Sequence, residues 1–220
     1  MQQLTAKNLK QLFDDPEYHS PSIDGMLYDR NTIRPSVVHF GVGNFHRCHQ
    51  AVYMDKLHRR GSDEWGIIGI SMRSTNTRDA LKPQDFLYTE VTLGEEVSFR
   101  IIGSILDILV APEDPGAVVK LVAERSTKLV TTTITEKGYY LSSGNIDFSH
   151  TDMSADEASL RKPKTIYGYL AAGIILRSGS DAGPLSIVCC DNIEAGGQKP
   201  VSYTHLRRAK TPYRFGSGCA

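Results

Sequence analysis

The feature that most constrains the fold is a strand that runs into two glycines and leaves as a helix, Pro35-Ser-Val-Val-His-Phe-Gly-Val-Gly-Asn-Phe-His-Arg-Cys-His-Gln50. Val37, Val38 and Phe40 read as a buried strand, Gly41 and Gly43 as a tight turn, and the stretch from Phe45 to Arg60 as a helix. After the turn Gly61-Ser-Asp-Glu comes Trp65-Gly-Ile-Ile-Gly-Ile-Ser-Met72, an apolar run of the kind covered on both faces of a sheet. Strand, helix and strand within about 35 residues make a βαβ unit, whose crossover is right-handed almost without exception. Such a unit commits the chain to a parallel α/β sheet.

The glycine turn has a chemical reading as well. Glycine permits the sharp turn and a close backbone approach, and the free amide N–H groups of the following helix attract a pyrophosphate. A side chain at Gly43 would crowd such a ligand. The third glycine of Gly-x-Gly-x-x-Gly is replaced by His46, and two glycines after a strand also occur in turns that bind nothing. The βαβ context favours the nucleotide.

The segment after the second strand, Arg73-Ser-Thr-Asn-Thr-Arg-Asp-Ala80, is expected at the carboxyl edge of the sheet beside a ribose. NAD-preferring dinucleotide folds place a carboxylate there, which accepts hydrogen bonds from the 2′-hydroxyl and repels a 2′-phosphate. Here the positions hold Arg73, Ser74, Thr75 and Asn76, and no carboxylate precedes Asp79. Arg73 and Arg78 could pair with a phosphate or stand as incidental charges on a solvated loop.

Two β-rich segments follow, 86–93 and 97–105, joined by Gly94-Glu-Glu, and read as an antiparallel hairpin decorating one edge. Pro112-Glu-Asp-Pro-Gly starts a helix through Val118, Val119, Leu121 and Val122, and Lys128-Leu-Val-Thr-Thr-Thr-Ile-Thr135 reads as a third buried strand. It ends at Glu136-Lys-Gly-Tyr-Tyr140, and strand ends of open α/β sheets face the ligand crevice. Ser149 to Pro163 reads as an exposed polar connection. Lys164 to Arg177 reads as a helix with Ile166, Leu170 and Ile174 on one face, and Pro184-Leu-Ser-Ile-Val-Cys-Cys190 as a buried strand closing on Asp191-Asn192.

Composition narrows the function classes. The 220 residues carry 25 basic and 25 acidic side chains, a formal net charge of zero, which argues against a partner held by bulk electrostatics such as a nucleic acid. Neither a signal peptide nor a membrane-length apolar stretch is seen, so a cytoplasmic address is expected. The four cysteines, Cys48, Cys189, Cys190 and Cys219, include no Cys-x-x-Cys pair and read as reduced thiols. His46 and His49 are spaced as metal ligands can be, but no companion ligands accompany them, and no metal is expected.

Several stretches taken together resemble the long-chain mannitol dehydrogenase family, which includes mannitol 2-dehydrogenase, arabinitol dehydrogenase and the fructuronate and tagaturonate reductases. They are Gly41-Val-Gly-Asn-Phe-His-Arg-Cys-His-Gln50, Gly69-Ile-Ser-Met-Arg-Ser74, Gln84-Asp-Phe-Leu-Tyr88, Ile102-Gly-Ser-Ile105, Thr133-Ile-Thr-Glu-Lys-Gly-Tyr139, Lys164-Thr-Ile-Tyr-Gly168 and Cys190-Asp-Asn192, in order from about Ala6 to Gly197. The resemblance implies a zinc-independent enzyme using NAD or NADP to move a hydride to or from a secondary alcohol carbon of a polyol or sugar acid. It implies cofactor contacts at Gly41, Gly43, Asn44, Phe45, His46 and Arg47, with Arg73 and Asn76 beside the ribose and Glu136 near the nicotinamide. Asn192 matches an asparagine that hydrogen-bonds the reacting oxygen, where a preorganised N–H stabilises the developing alkoxide.

The fold class expected is therefore α/β, a Rossmann-like and largely parallel sheet with an inserted β-hairpin. Residues 1–34 are a lead-in packing on the core, 35–199 the NAD(P)-binding domain, and 200–220 an unassigned basic tail, either an interaction arm or a translated cloning junction. The family's general base is a lysine in a Lys-x-x-x-x-Asn-x-x-His motif of a helical C-terminal domain, and no such motif occurs here. That domain is expected to be absent, and with it most of the catalysis, since alcohol oxidation needs a base for the hydroxyl proton. The competing expectation is an inactive NAD(P)-binding module acting as a redox sensor or partner-binding protein.

Overall fold

The computed structural model describes residues 4–9, 23–25, 28–143 and 145–191. The chain forms two compact units, Met1–Val110 and Ala111–Ala220.

Among the described residues the first unit holds six strands: β1 (Ile23–Asp24), β2 (Pro35–Phe40), β3 (Gly66–Ser71), β4 (Tyr88–Leu93), β5 (Val97–Ile102) and β6 (Ile105–Val110). β3 lies between β2 and β6, all parallel, with Phe40 opposite Ile70 and Ile70 opposite Leu109. Val37, Val38, Phe40, Ile67, Ile70, Ile105 and Ile108 are buried, each contributing roughly 1.5–3 kcal/mol through removal from water. A Cβ at Gly69 would stand 2.5 Å from Val42 Cγ2, so glycine there is what lets the turn after β2 press onto β3.

The single helix expected from Phe45 to Arg60 is two, Asn44–Cys48 and Gln50–Arg59, because the His49 N–H bonds to His46 O in a tightened last turn and His49 leaves helical geometry. The expected hairpin is present as β4 and β5, antiparallel with Tyr88 opposite Ile102 and Leu93 opposite Val97, and with β1 it forms a separate three-stranded sheet. Its second arm, expected to reach Ile105, stops at Ile102. There the Gly103 N–H donates to Asp55 of the helix Gln50–Arg59 rather than to a strand, and the Ser104 hydroxyl anchors the same segment on Ala51 O. The chain restarts as β6, a parallel strand the sequence reading did not separate.

Parts of the lead-in are pinned to this unit. Asp55 is fully buried and accepts from Tyr28 OH at 2.5 Å, Arg59 Nε at 2.6 Å and Gly103 N at 3.0 Å. Arg59 in turn donates to Asp24 and to Ile101 O, and Arg30 donates to the carbonyls of Asp85, Gly103 and Ile105. Leu9 packs with Leu87 and Ile101. The sequence also reads as a short helix from Lys7 to Phe13, which falls mostly outside the described residues.

The second unit holds β7 (Leu129–Thr132), the small hairpin β8 (Leu141–Ser142) and β9 (Asn145–Ile146), and β10 (Ser186–Cys189). β7 and β10 run parallel with Leu129 opposite Ser186 and Thr132 opposite Cys189. The helix Pro115–Ala123 starts at Asp114, whose carboxylate accepts from Ala117 N at 2.8 Å, and the helix Ile166–Ser178 at Thr165, whose hydroxyl accepts from Gly168 N at 3.0 Å. The connection expected to be exposed from Ser149 to Pro163 contains a helix, Thr151–Ala158. Met153 and Asp156 are buried on its inner face, and Asp156 accepts from Lys164 N, Thr165 N and the Thr165 hydroxyl. β10, expected to be buried, is half exposed, with Val188 45% accessible, because it is an edge strand paired on one side only.

Arg177 is an unusual member of this unit. It is buried, and its guanidinium donates to five carbonyls, Val122, Glu124, Ala182, Gly183 and Pro184. Burial pulls its pKa down from the ordinary arginine value. Strands β2, β3, β6, β7 and β10 with their helices make a five-stranded parallel, Rossmann-like fold.

Candidate functional site

Two strand-end turns carry the candidate residues, one in each unit. In the first, Gly41 has a φ of 99°, a left-handed conformation that costs glycine nothing, and its N–H donates to Ile70 O at 2.9 Å. The Gly43 N–H donates to Gly41 O at 2.7 Å. Gly43 itself has an ordinary φ of −84°, and a Cβ placed on it would meet no atom closer than Gly41 O at 3.9 Å. Neither backbone strain nor protein packing demands glycine there.

The chain then enters the helix Asn44–Cys48 with no side chain capping its first N–H groups. Gly43, Asn44 and Phe45 are exposed around this start. Arg47 folds back over the turn, donating to Val42 O at 3.0 Å and to Asn44 Oδ1 at 2.5 Å, while Tyr88 OH holds Arg47 O at 2.7 Å. The turn thus combines open glycine backbone, free amides and a guanidinium, a donor set suited to a pyrophosphate.

His46, expected among the cofactor contacts, is fully buried and stacks on His39 at 3.4 Å between ring centroids, 12° from parallel. His39 Nε2 lies 3.1 Å from Gly41 O, so a neutral ring with the proton on Nε2 donates to the turn. Burial pushes His39 down to about 4. Burial and the neighbouring His39 push His46 further, against a small upward pull from Gln50, and neither His46 ring nitrogen has a partner in good hydrogen-bond geometry. Both rings are neutral at pH 7.

Beyond β3, Arg73 and Asn76 are both exposed, and Asn76 opens the helix Asn76–Leu81 with its N–H on Ser74 Oγ at 3.2 Å. The structure separates the two arginines considered for a phosphate. Arg78 is paired with Asp79 at 2.9 Å, whereas Arg73 has no ion pair among the described residues.

In the second unit Glu136 is exposed on a one-turn helix, Thr135–Gly138, just beyond β7. Asp191 holds that turn: it accepts from Ile134 N at 3.0 Å, Thr135 N at 3.2 Å and Tyr139 OH at 2.7 Å. Tyr139 is fully buried, with Thr132 Oγ1 at 2.5 Å and Cys189 Sγ at 3.3 Å from its oxygen, and burial raises its pKa well above the ordinary phenol value. Asn192, expected to contact the reacting oxygen, lies outside the described residues. His39, Tyr139 and Asp191 were not singled out from the sequence; only the strand-end position of Asp191 offered a signal.

Among the described residues no group of three or more His, Cys, Asp or Glu could hold a metal ion, and no helix is long and apolar enough to cross a membrane.

Comparison with known proteins agrees with the geometry. Residues 35–206 match a family described as the mannitol dehydrogenase Rossmann domain. Mannitol 2-dehydrogenase of Phaeosphaeria nodorum is 36% identical over 200 residues, covering 88% of this chain and 34% of the relative. A polyol:NADP oxidoreductase of Gluconobacter oxydans is 34% identical over 178 residues, covering 77% of this chain and 36% of the relative. The structure of Pseudomonas fluorescens mannitol 2-dehydrogenase in ternary complex with NAD and D-mannitol superposes with a TM-score of 0.85 at 31% identity, covering 95% of this chain and 43% of that one. The chain therefore spans about a third of the length of these curated relatives.

Proposed function

The chain belongs to the mannitol dehydrogenase family, and from that premise we propose that its 220 residues carry the cofactor-binding machinery of an NAD(P)-dependent oxidoreductase acting on a secondary alcohol of a polyol or sugar acid. The observation that carries the reading is Gly43, a glycine with ordinary φ whose Cβ would project into space the protein leaves open. The donors around it fit a dinucleotide.

When bound, the nicotinamide supplies a hydride acceptor or donor. The chain's own residues do the rest. Gly41 and Gly43 let the backbone approach the pyrophosphate, the free amides at the start of Asn44–Cys48 hydrogen-bond it, and Arg47 adds a positive charge. Arg73 and Asn76 face the choice between a 2′-phosphate and a 2′-hydroxyl: the exposed guanidinium suits the phosphate, and the absence of a carboxylate at position 76 removes the usual repulsion. In the family's pattern the amide of Asn192 donates to the oxygen of the reacting carbon and Glu136 stands near the nicotinamide. The sequence contains no Lys-x-x-x-x-Asn-x-x-His motif to take the hydroxyl proton, so the 220 residues alone bind nucleotide and turn over little.

The test is titration of the purified chain with NADH and NADPH by fluorescence, alongside mannitol, sorbitol and fructuronate assays. Micromolar binding of either nucleotide, about 8 kcal/mol, with negligible turnover is expected. Absence of nucleotide binding overturns the reading, and vigorous polyol oxidation overturns the claim of low turnover.

A further inference from the structure

The turn that presents Glu136 adopts a conformation its own sequence resists. Thr135 has a φ of 65°, and it is the β-branched residue among the non-glycine positions with positive φ in the described residues. A β-branched residue in the left-handed region is a steric outlier, and such strain persists only where surrounding contacts enforce it. The one-turn helix has no side-chain cap, because its N-cap residue is Ile134.

The enforcement comes from 56 residues further along the chain. Asp191 places one carboxylate oxygen on Thr135 N and the other on both Ile134 N and Tyr139 OH, so a single side chain grips the turn at its entry and at its exit. Tyr139 gives its only proton to Asp191, and its oxygen is therefore free to accept from the Thr132 hydroxyl at 2.5 Å and the Cys189 thiol at 3.3 Å. These are residues of β7 and β10, which are paired at that register. The carboxylate is thereby braced against the ends of two strands.

We propose that Asp191 is a positioning residue, which holds Thr135 in the left-handed turn and so fixes where Glu136 stands beyond β7. Glu136 is itself exposed and has no part in the brace, so the arrangement displays that side chain rather than burying it. What Glu136 meets, the nicotinamide end of the cofactor, rests on the reading given above. The geometry of the turn does not.

The test uses the full 220-residue chain as wild type, Asp191→Ser, Thr135→Gly and the double variant. The three-bond HN–Hα coupling and carbon shifts of residue 135 report its φ directly. In Asp191→Ser they move from left-handed to extended values, and unchanged values overturn the proposal whether or not nucleotide binds. Glycine takes positive φ freely, so the double variant recovers the Glu136 shifts that Asp191→Ser displaces; failure to recover them also overturns it. Binding gives a second readout, since loss of hydrogen bonds to a charged group weakens NADH by about tenfold in Asp191→Ser, while ADP-ribose, which lacks the nicotinamide, stays within about twofold. Parallel loss of both ligands together with a lowered melting temperature marks a merely structural role and overturns the proposal. If wild type binds neither ligand, the cofactor reading fails and the residue-135 signals decide the turn alone. Should Asp191→Ser not fold, Tyr139→Phe removes the brace and leaves both amide bonds, and it moves the same signals in the same direction by less.

Discussion

Beyond β2 the chain leaves the sheet through Gly41 at a φ of 99°, and beyond β7 it does so through Thr135 at a φ of 65°. Both are left-handed turns feeding a short helix, yet they are built from opposite materials. The first uses glycine, whose conformation is free and whose missing side chain leaves the backbone open at Gly43. The second uses a β-branched residue held by a carboxylate distant in sequence. The difference follows from what each turn offers. A turn that presents backbone to a ligand must be bare, whereas one that presents a side chain, Glu136, benefits from a rigid frame. Bareness is encoded locally; rigidity here is encoded at long range.

That contrast can be strained most by acid. His39 and His46 sit behind the first turn with pKa values depressed by burial, His39 to about 4 from 6.5. The neutral ring is favoured in the folded state, so its stabilisation is fully present above pH 6.5 and is lost as pH falls towards 4, up to about 3 kcal/mol for His39. Urea unfolding followed by Trp65, the sole tryptophan, reads this in the first unit. Because His46 and His58 are also lowered by burial and contribute over the same range, His39→Gln is expected to remove only its own share of the slope between those pH values; an unchanged slope would show that His39 does not contribute. The second turn has no buried histidine among the described residues and gives no such slope.

Next in size is Gly43→Val. The ordinary φ and the open space accept a β-branched residue, so the melting temperature is expected to move little, while nucleotide affinity falls by about a hundredfold, roughly 2.7 kcal/mol. A variant that binds as well as wild type means that the bare backbone at Gly43 serves no ligand.

The smallest effects come from exchanging the two materials. Gly41→Ala puts a side chain at positive φ and should cost about 1–2 kcal/mol of stability. Thr135→Gly relieves strain but adds freedom to the unfolded chain, and these oppose, so a net change under about 1 kcal/mol is expected. Chemical denaturation of the pair measures both. Equal costs would erase the distinction between a turn that requires glycine and one that overrides its own residue.

The same distinction governs what could be read in advance. β2, β3 and β7 announced themselves because apolar, β-branched runs ended at glycine or polar residues, and the hairpin of β4 and β5 because Gly94 separated two such runs. β6 was hidden by continuity: the apolar run from Ile101 to Val110 gives no sign that Asp55 and Ala51 interrupt it at Gly103 and Ser104. The helix Thr151–Ala158 was hidden by its polarity, since Asp156 reads as solvated until Thr165 is seen to donate to it. At the candidate site, the placement of Gly41, Gly43 and Glu136 at strand ends was legible in the sequence. The partnership of His39 with His46 and the grip of Asp191 on Thr135 depend on rings and carboxylates meeting in space, and no spacing in the sequence encodes either.

Arg177 has a consequence of another kind. Its charge lies among carbonyls rather than a counter-ion, so the end of the helix Pro115–Ala123 and the loop at residues 182–184 together act as a hydration shell made of polypeptide. A segment that departs from that shell strands a cation with too few ligands, and the remaining segments then lose their reason to stay. This corner of the second unit consequently behaves as a single latch, open or shut as a whole.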